Sequence, residues 1–450
     1  MRAPLVLAAL TLTACPSTPP LEYPAGTEAF VDVRVVSMAD DSVLEGARLL
    51  VRDGVIVDVL TSADPEIDGS IPVIASGGYV MPGLVDLHVH TWFPGDLTLF
   101  VANGVTTVRN LFGDPLQLGW RGEIAAGERL GPQLVTAGPI IDGDPPFWPG
   151  SDLARTEAEA RSVVQAQVDA GYDVVKVYSR LPADAWRGAL DEAEARGVQA
   201  VGHVPASVDF AEVAGSTQVT IEHLDGLLEE LAGVSWWDPL SPAQVTAALD
   251  GVDPGELADL AATLRDADTW NVPTLVVLNT IKLSADDLAA QRDRPELAYV
   301  HPQILASWQG TTASSSSDME AWGALMDAWR GWTRDLHAAG AGIGLGTDCG
   351  NAYVIPGWSV HEELAQLVAA GLTPYEALSA GTADAATVLG RSDLGTVEVG
   401  KRADLLWLDA NPLDDVAHAA RPQGVLLNGR WWTRDALDTE LDELASDYAR

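Results

Sequence analysis

Short apolar runs that alternate with helix-like segments fill the middle of the chain, and this alternation most constrains what the chain can fold into. Alternating strands and helices form parallel sheets with helical crossover connections. Eight such units predict an α/β fold, a (β/α)₈ TIM barrel, whose chemistry lies at the C-terminal ends of the strands. The eight strand candidates are Gly83–His90, Val105–Leu111, Gln133–Ile141, Val174–Tyr178, Val198–Val204, Val219–Leu224, Val272–Leu278 and Ile343–Asp348.

Some of the intervening helices carry start signals. Residues 241–244 (Ser-Pro-Ala-Gln) and 373–376 (Thr-Pro-Tyr-Glu) each combine a capping hydroxyl, a proline at the first helical position, and a Gln or Glu three residues after the cap. One connection is much longer than the others: residues 279–341 separate the last two strand candidates and contain a Thr/Ser-rich tract at 311–317.

The two ends of the chain have a different texture, with short β-like runs and hairpin turns. Asp53-Gly54 lies between two apolar runs near the N-terminus, and Asn428-Gly429 lies between two near the C-terminus. We therefore predict a small composite β-sandwich, built from residues 28–80 and 391–440, next to a barrel of residues 81–390.

The first residues predict an export signal. An apolar run at residues 5–14 follows Arg2 and is too short to span a bilayer. It ends in Leu-Thr-Ala-Cys15, which resembles the bacterial lipobox, so we predict a signal peptide at 1–14, lipidation of Cys15, and a Pro-rich tether at 15–27. The protein is then exported and lipid-anchored in the bacterial cell envelope, at the outer membrane or the periplasmic face. Ordinary signal cleavage and an uncleaved anchor are the alternatives.

The charge of the chain excludes one class of partner. With 26 basic and 65 acidic residues the formal net charge is −39, which repels nucleic acid. Only three lysines occur, at 176, 282 and 401. Because the acidic excess is typical of a solvated surface, it does not by itself indicate a function.

Metal-binding residue types cluster at the predicted strand ends. His88 and His90 lie two residues apart on one strand and therefore point to the same side. Lys176 stands between two valines in the fourth strand, where a charge would be costly. The fifth, sixth and eighth strands end at His203, at Glu222-His223 and at Asp348. Any single histidine could be an ordinary core residue, but the whole set favours a metal site.

Two motifs make the chain resemble the amidohydrolase superfamily of metal-dependent hydrolases. Residues 80–90 (Val-Met-Pro-Gly-Leu-Val-Asp-Leu-His-Val-His) are similar to its opening motif, and residues 400–404 (Gly-Lys-Arg-Ala-Asp) to its closing one. The likeness extends over essentially the whole mature chain. Within the superfamily the chain most resembles the imidazolonepropionase and prolidase-like branch, which includes dipeptidases.

The resemblance implies a site with two divalent metal ions, most simply zinc. It implies that His88 and His90 bind one ion, that His203 and His223 bind the other, and that a CO₂-derived carbamate on Lys176 bridges them. It also implies that Asp348 is both a ligand and the proton shuttle for a metal-bridging hydroxide. A neutral lysine in an apolar strand is the form that reacts with CO₂.

The reaction is narrowed but not fixed by the sequence. Deaminases of this superfamily carry a Glu three residues after the fifth-strand histidine, and this chain has Ala206 there. We therefore expect hydrolysis of an amide bond in a small molecule such as a dipeptide or N-acyl amino acid, with a lactonase or esterase, or a non-catalytic lipid-anchored binding protein, as alternatives. A histidine typical of prolidase-like members after the third strand is missing from residues 142–150. The oligomeric state stays open, with a homo-oligomer as one option.

Four further residues are candidate substrate contacts. Tyr178 lies two residues after Lys176 and points to the same side, where it can hydrogen-bond a substrate carbonyl. Trp148 belongs to the aromatic residues of the predicted barrel mouth. Arg109 is either a partner for a substrate carboxylate or a structural arginine at the rim. His361, after the eighth strand, either contacts substrate or caps the barrel.

Overall fold

A computed structural model describes residues 20–450 of the chain. The predicted signal peptide at 1–14 and Cys15 lie outside the described residues. Among the helices of residues 20–450, none is long and apolar enough to cross a membrane. The predicted tether at 15–27 contacts the fold from Leu21 onward, since the Leu21 N–H donates to the Glu66 carbonyl at 2.7 Å.

The strands of the described residues are as follows: β1 Glu28–Val36, β2 Val43–Arg52, β3 Val55–Leu60, β4 Val73–Ser76, β5 Tyr79–Pro82, β6 Leu84–Val89, β7 Val105–Asn110, β8 Gln133–Thr136, β9 Ile141–Asp142, β10 Asp152–Leu153, β11 Val174–Val177, β12 Gln199–Gly202, β13 Gln218–Glu222, β14 Trp270–Val272, β15 Leu405–Leu408, β16 Gly424–Leu427 and β17 Arg430–Thr433.

The helices are α1 Pro94–Ala102, α2 Pro115–Ala125, α3 Glu157–Ala170, α4 Ala183–Arg196, α5 Phe210–Ala214, α6 Leu227–Ala232, α7 Pro242–Asp250, α8 Pro254–Asp266, α9 Leu275–Ile281, α10 Ala285–Arg292, α11 Pro302–Trp308, α12 Ser316–Ala338, α13 Trp358–Ala370, α14 Pro374–Ala380, α15 Ala383–Val388 and α16 Arg434–Tyr448. Two 3₁₀ helices, Pro295–Tyr299 and Val416–Ala419, complete the set.

The fold is mixed α/β, and its middle contains parallel strands that follow chain order except at β9 and β10. One sheet has the order β6-β7-β8, and a second has the order β10-β9-β11-β12-β13-β14. A parallel bridge between Ala137 and Val174 joins the first sheet to the second. Both sheets are covered by helices, and their strands are almost entirely buried, as expected for parallel strands with helical crossovers.

Three strand candidates differ from the prediction. The run Val272–Leu278 is a strand only up to Val272, and helix α9 begins at Leu275. Its first N–H groups, those of Leu275 and Val276, donate to the buried carboxylate of Glu363 on α13. A distant side chain thus caps this helix, which local sequence does not reveal.

The eighth candidate, Ile343–Asp348, forms no strand of its own but is bonded on both sides. The Gly344 N–H donates to the carbonyl of Asn271 in β14, and the Leu87 N–H of β6 donates to the carbonyl of Leu345. The third candidate, 133–141, is divided into β8 and β9 by Gly138 and Pro139, because proline has no N–H for a sheet.

The two ends of the chain meet in one eight-stranded sheet. Its order is β17-β16-β15-β5-β1-β2-β3, with β4 paired to β1, so the C-terminal strands extend the N-terminal ones where β15 pairs with β5. Both predicted hairpin turns are confirmed: φ is 52° at Asp53 and 75° at Gly54, and 51° at Asn428 and 74° at Gly429. We predicted two facing layers from these segments, and the hydrogen bonds join them as a single sheet.

The predicted helix starts are confirmed for α7 and α14, which begin at Pro242 and Pro374. The long connection 279–341 contains α10, α11 and α12. Its Thr/Ser-rich tract at 311–317 contains the N-cap residue of α12, Ser315, whose side chain accepts the Asp318 N–H.

A glycine at the end of β12 sets how closely two central strands approach. Gly202 has φ of 140°, and a Cβ built there would lie 2.1 Å from the carbonyl oxygen of Val177. We expect Gly202→Ala to lower the free energy of unfolding by about 3 kcal/mol, as measured by urea denaturation. Gly119→Ala is the matched control, since nothing lies within 4 Å of its Cβ position in α2; it should be neutral or stabilise by about 0.5–1 kcal/mol. Equal effects of the two substitutions would contradict the close approach.

Candidate metal centre

The expected metal ligands come together at the C-terminal ends of the central strands. His88 lies in β6 and Lys176 in β11, while His203 and His223 directly follow β12 and β13. The six expected ligands border one cavity of about 290 Å³, here called the strand-end cavity. It is lined by His88, His90, Trp92, Phe112, Ile140, Trp148, Lys176, Tyr178, His203, His223, Ile304, Ser307, Asp348, Gly350 and Asn351.

The four imidazoles form a row along the cavity. Ring centroids are 5.3 Å apart between His90 and His88, 4.7 Å between His88 and His223, and 5.0 Å between His223 and His203. This spacing brings side chains from three different strand ends within reach of shared ions.

Three of these imidazoles form hydrogen bonds with other side chains through their Nδ1 atoms. His88 Nδ1 lies 2.8 Å from Glu222 Oε2, His203 Nδ1 lies 2.9 Å from Ser179 Oγ, and His223 Nδ1 lies 2.6 Å from Thr274 Oγ1. The Nε2 atoms are thereby left for another partner, and that of His203 is buried without a hydrogen bond. Metal-ligating histidines are typically fixed in this way.

Asp348 lies against the row. Its Oδ1 is 2.9 Å from His90 Nε2 and 3.4 Å from His88 Nε2, and its Oδ2 is 3.9 Å from His223 Nε2. His88, His90 and Asp348 place one ligand atom each within 4.8 Å of one another, close enough for one ion. Burial acts to raise the pKa of Asp348, but His90, His223 and Lys176 together hold it below its usual value.

Two of the expected ligands are held in left-handed backbone conformations. φ is 63° at His223 and 57° at Asp348, a region that side chains other than glycine seldom occupy. Such strain persists where the surroundings enforce it, and it is common at functional sites.

Burial keeps the imidazoles of His88, His203 and His223 neutral, which is the form that binds metal. It lowers the pKa of His88 and His203 well below the ordinary value, and that of His223 to about 4. Neighbouring positive charge from Lys176 acts in the same direction at all three.

Lys176 is 1% exposed, and its Nζ atom has no hydrogen-bond partner among the described residues. Burial lowers its pKa to about 8, although Glu222 and Asp348 act to raise it. A substantial fraction of the amine is therefore neutral near physiological pH. A buried amine of this kind lacks the anion that would normally accompany it.

These residues fit divalent metal ions. The buried nitrogen atoms of His203 and Lys176 have no partner in the described residues, and neutral imidazoles with a carboxylate are a donor set that suits zinc. Cys349 is buried, as expected for a packing residue, and does not border the cavity.

The residue that orients His88 was not predicted as part of the site. Glu222 is fully buried, and its other carboxylate oxygen accepts from Arg109 Nη2 at 2.9 Å and from the Thr220 hydroxyl. Arg109 Nε also donates to the Leu87 carbonyl at 2.6 Å. The adjacency of Glu222 to His223 was visible in the sequence, but the pairing with His88, 134 residues away, was not.

Two of the four candidate substrate contacts, Arg109 and His361, lie outside the cavity lining, which favours the structural alternative for each. Arg109 is fully buried and paired with Glu222, so it does not reach the cavity. His361, on α13, donates from Nε2 to the Asn103 carbonyl at 2.8 Å and also lies away from the cavity lining. Tyr178 and Trp148 do line the cavity, and Trp148 Nε1 donates to Tyr178 Oη at 2.7 Å.

Comparisons with known proteins agree on one family. The model of the amidohydrolase family matches residues 79–432. An imidazolonepropionase of Deinococcus deserti is 27% identical over 400 residues, which is 86% of this chain and 91% of that protein.

Solved structures give the same relationship. A bottromycin amidohydrolase is 28% identical with a TM-score of 0.76, covering 94% of this chain and 91% of that one. A putative prolidase from Bifidobacterium longum is 26% identical with a TM-score of 0.69, covering 93% of this chain and 98% of that one.

Glu222→Gln tests the orienting role of the buried carboxylate. We expect metal affinity to fall about 10–100-fold, measured as metal retained against a competing chelator. The metal-free protein should also lose about 3 kcal/mol of stability, because the Arg109 charge is left unpaired. The control Glu212→Gln removes half of an exposed ion pair with Arg187 and should cost less than about 1 kcal/mol. Unchanged metal retention in Glu222→Gln would refute the role.

Proposed function

The chain belongs to the amidohydrolase family and is a hydrolase of carbon–nitrogen bonds, and we propose that it cleaves an amide bond of a small molecule at a centre of two divalent metal ions. The observation that carries the proposal is the row of four imidazoles with Lys176 and Asp348 on one cavity. Three of these imidazoles are neutral and turn Nε2 away from their protein partners.

We assign the ligands by strand. His88 and His90 would hold one ion, and His203 and His223 the other. Lys176, as a carbamate, would bridge the two, and its burial and lowered pKa support this reaction with CO₂. Two bound zinc ions supply an activated water nucleophile at neutral pH and polarise the scissile carbonyl.

Asp348 is the proposed proton shuttle. Burial acts to raise the pKa of this carboxyl, but the hydrogen bond from His90 holds that pKa below its usual value, so the carboxylate stays ionised. It can therefore accept the proton of the attacking water and deliver it to the leaving nitrogen, acting first as a general base and then as a general acid. Its position beside His90 and His88 keeps it next to the reacting atoms.

Tyr178 is proposed to donate a hydrogen bond to the substrate carbonyl oxygen. Its Oη accepts from Trp148 Nε1, so its own proton is free for a ligand. Burial raises the pKa of Tyr178, which keeps that proton in place at physiological pH. A fixed donor at the carbonyl stabilises the negative charge that develops during attack.

Two structural proposals accompany the function. Closure of the parallel strands into a barrel is supported by the backbone bonds of residues 343–348 to β14 and β6 and by the bridge between β8 and β11. A sandwich-like arrangement of the terminal sheet is supported by an apolar cluster to which both termini contribute, including Phe30, Leu49 and Leu405.

A lipid anchor at Cys15 and a location in the cell envelope are also proposed. They rest on the sequence of residues 1–15 alone.

Hydrolysis of a lactone or another ester at the same centre is the alternative chemistry, because an activated water attacks either carbonyl. Cleavage of esters but not amides would favour that alternative.

Lys176→Ala tests the bridging role. We expect the bound metal to fall from two ions to one or fewer and kcat to fall at least about 1000-fold, measured by metal analysis and amide hydrolysis. Labelling with ¹³C-bicarbonate should give a carbamate signal in the native protein that this variant lacks. Lys282→Ala, which changes one of the two other lysines, is the control and should retain metal, signal and activity. Two ions and full activity in Lys176→Ala would remove Lys176 from the site.

Asp348→Asn tests the shuttle. The amide cannot take a proton, so we expect kcat to fall about 10³-fold or more. Metal analysis of the same sample is needed, because Asp348 is also an expected ligand. An active variant that retains both ions would contradict the assignment.

A further inference from the structure

The strand-end cavity has an aromatic wall at each end of its row of imidazoles. His90 lies at one end of the row and His203 at the other. A tryptophan stacks beside the first and a tyrosine beside the second. The walls therefore flank the place where a scissile bond would lie.

The first wall is built from Trp92 and Phe112. The Trp92 ring stacks on His90 at 5.7 Å with an interplanar angle of 19°, and Phe112 packs edge-on against Trp92 at 5.8 Å. Trp92 is nevertheless 38% exposed. A large aromatic surface held rigidly at a cavity and left open to solvent is a binding surface for an apolar group.

The second wall is built from Tyr178 and Trp148. Tyr178 lies 3.9 Å from the His203 ring, and the indole N–H of Trp148 is fixed on its hydroxyl. Phe147 packs on both, at 5.2 Å from Trp148 and 5.8 Å from Tyr178. Trp148 is 43% exposed, so this wall also presents an aromatic face that is fixed but uncovered.

Among the residues that the structure describes, the cavity lining offers no cation for a substrate carboxylate. Lys176 is its only formally cationic side chain, and it lies among the expected ligands. Arg109 is committed to Glu222. Arg180, which follows β11, donates to the carbonyls of Pro145 and Pro146 and lies over the Phe147 ring, outside the lining.

The net charge of the whole chain also disfavours a substrate that carries a carboxylate. A formal net charge of −39 lowers the local concentration of anions, most strongly at low ionic strength. An anionic substrate would thus be repelled at long range and would meet no guanidinium in the cavity. A neutral or cationic substrate meets neither obstacle.

We infer that the substrate is an amide that lacks a free carboxylate and carries an aromatic or bulky apolar group, held between the walls of Trp92/Phe112 and Trp148/Tyr178. The inference rests on the proposed amide hydrolysis and names its substrate class. It predicts that free dipeptides and N-acyl amino acids are poorer substrates than their carboxamide counterparts.

Four matched compounds separate the two parts of this inference. N-benzoylglycinamide carries the aromatic ring and has no carboxylate. N-benzoylglycine carries the ring and a carboxylate, and N-acetylglycinamide has neither ring nor carboxylate. N-acetylglycine has the carboxylate but no ring. With the metal-loaded full chain, kcat/KM is measured as release of glycinamide or glycine. We expect N-benzoylglycinamide to exceed each singly changed compound by at least about tenfold, since burial of an aromatic ring on this scale is worth tenfold or more.

Binding is measured separately from turnover, by calorimetric titration with the same compounds. Titration of the metal-free protein excludes direct ligation of a carboxylate by the ions. The Kd of N-benzoylglycinamide should be at least about tenfold lower than that of N-benzoylglycine in both forms. Trp148→Ala and Trp92→Ala should each reduce the benzoyl-over-acetyl preference to about threefold or less, and Trp148→Phe should keep most of it.

Val399→Ala is the control for loss of an exposed apolar side chain, because Val399 is 61% exposed and does not line this cavity; it should keep the native preference. Three results would overturn the inference. They are a kcat/KM for the carboxylates equal to or above that for the carboxamides, equal kcat/KM values for acetyl and benzoyl compounds, or no binding of N-benzoylglycinamide at about 10 mM. Selective binding without cleavage in a protein that holds both ions would uphold the inference and count against the proposed function. Cleavage of N-benzoylglycine in preference to its carboxamide would do the reverse.

Discussion

The buried contact between His88 and Glu222 is the interaction on which the site depends. Glu222 is the last residue of β13 and His88 lies in β6, so the contact joins the two parallel sheets across the interior. Arg109 on β7 completes the link by donating to both sheets. Burying the ion pair of Arg109 and Glu222 costs several kcal/mol in desolvation. A protein selected for stability alone would avoid this cost by using apolar residues at these positions.

Desolvation also prepares the chemistry. The same burial that penalises charge keeps three imidazoles neutral and leaves the Lys176 amine partly neutral. Neutral nitrogens are the ones that bind metal and react with CO₂. The strand ends therefore hold the proposed ligands in the state that metal binding requires, while the hydrogen bond from His90 keeps Asp348 ionised.

Around this polar centre the cavity is apolar and aromatic. Fixed tryptophans at its mouth and a lining without guanidinium groups distinguish it from a site built to hold a carboxylate. The acidic excess of the chain, which led us to expect no nucleic-acid partner, would also disfavour an anionic substrate. The charge of the chain and the lining of its cavity thus select in the same direction.

Much of the site followed from the sequence, because strand alternation and residue type are local properties. His88 and His90 share a face by the two-residue period, and the two hairpin turns and two capped helices are encoded by adjacent residues. The sequence could not reveal that Glu363 starts α9, that Arg109 turns inward to Glu222, or that Trp148 fixes Tyr178. Each of these depends on atoms more than 25 residues apart in the chain. The sequence by itself determined which ligands meet at the strand ends; the tertiary structure decided how they are oriented and what surrounds them, because burial and long-range hydrogen bonds exist only once the chain is folded.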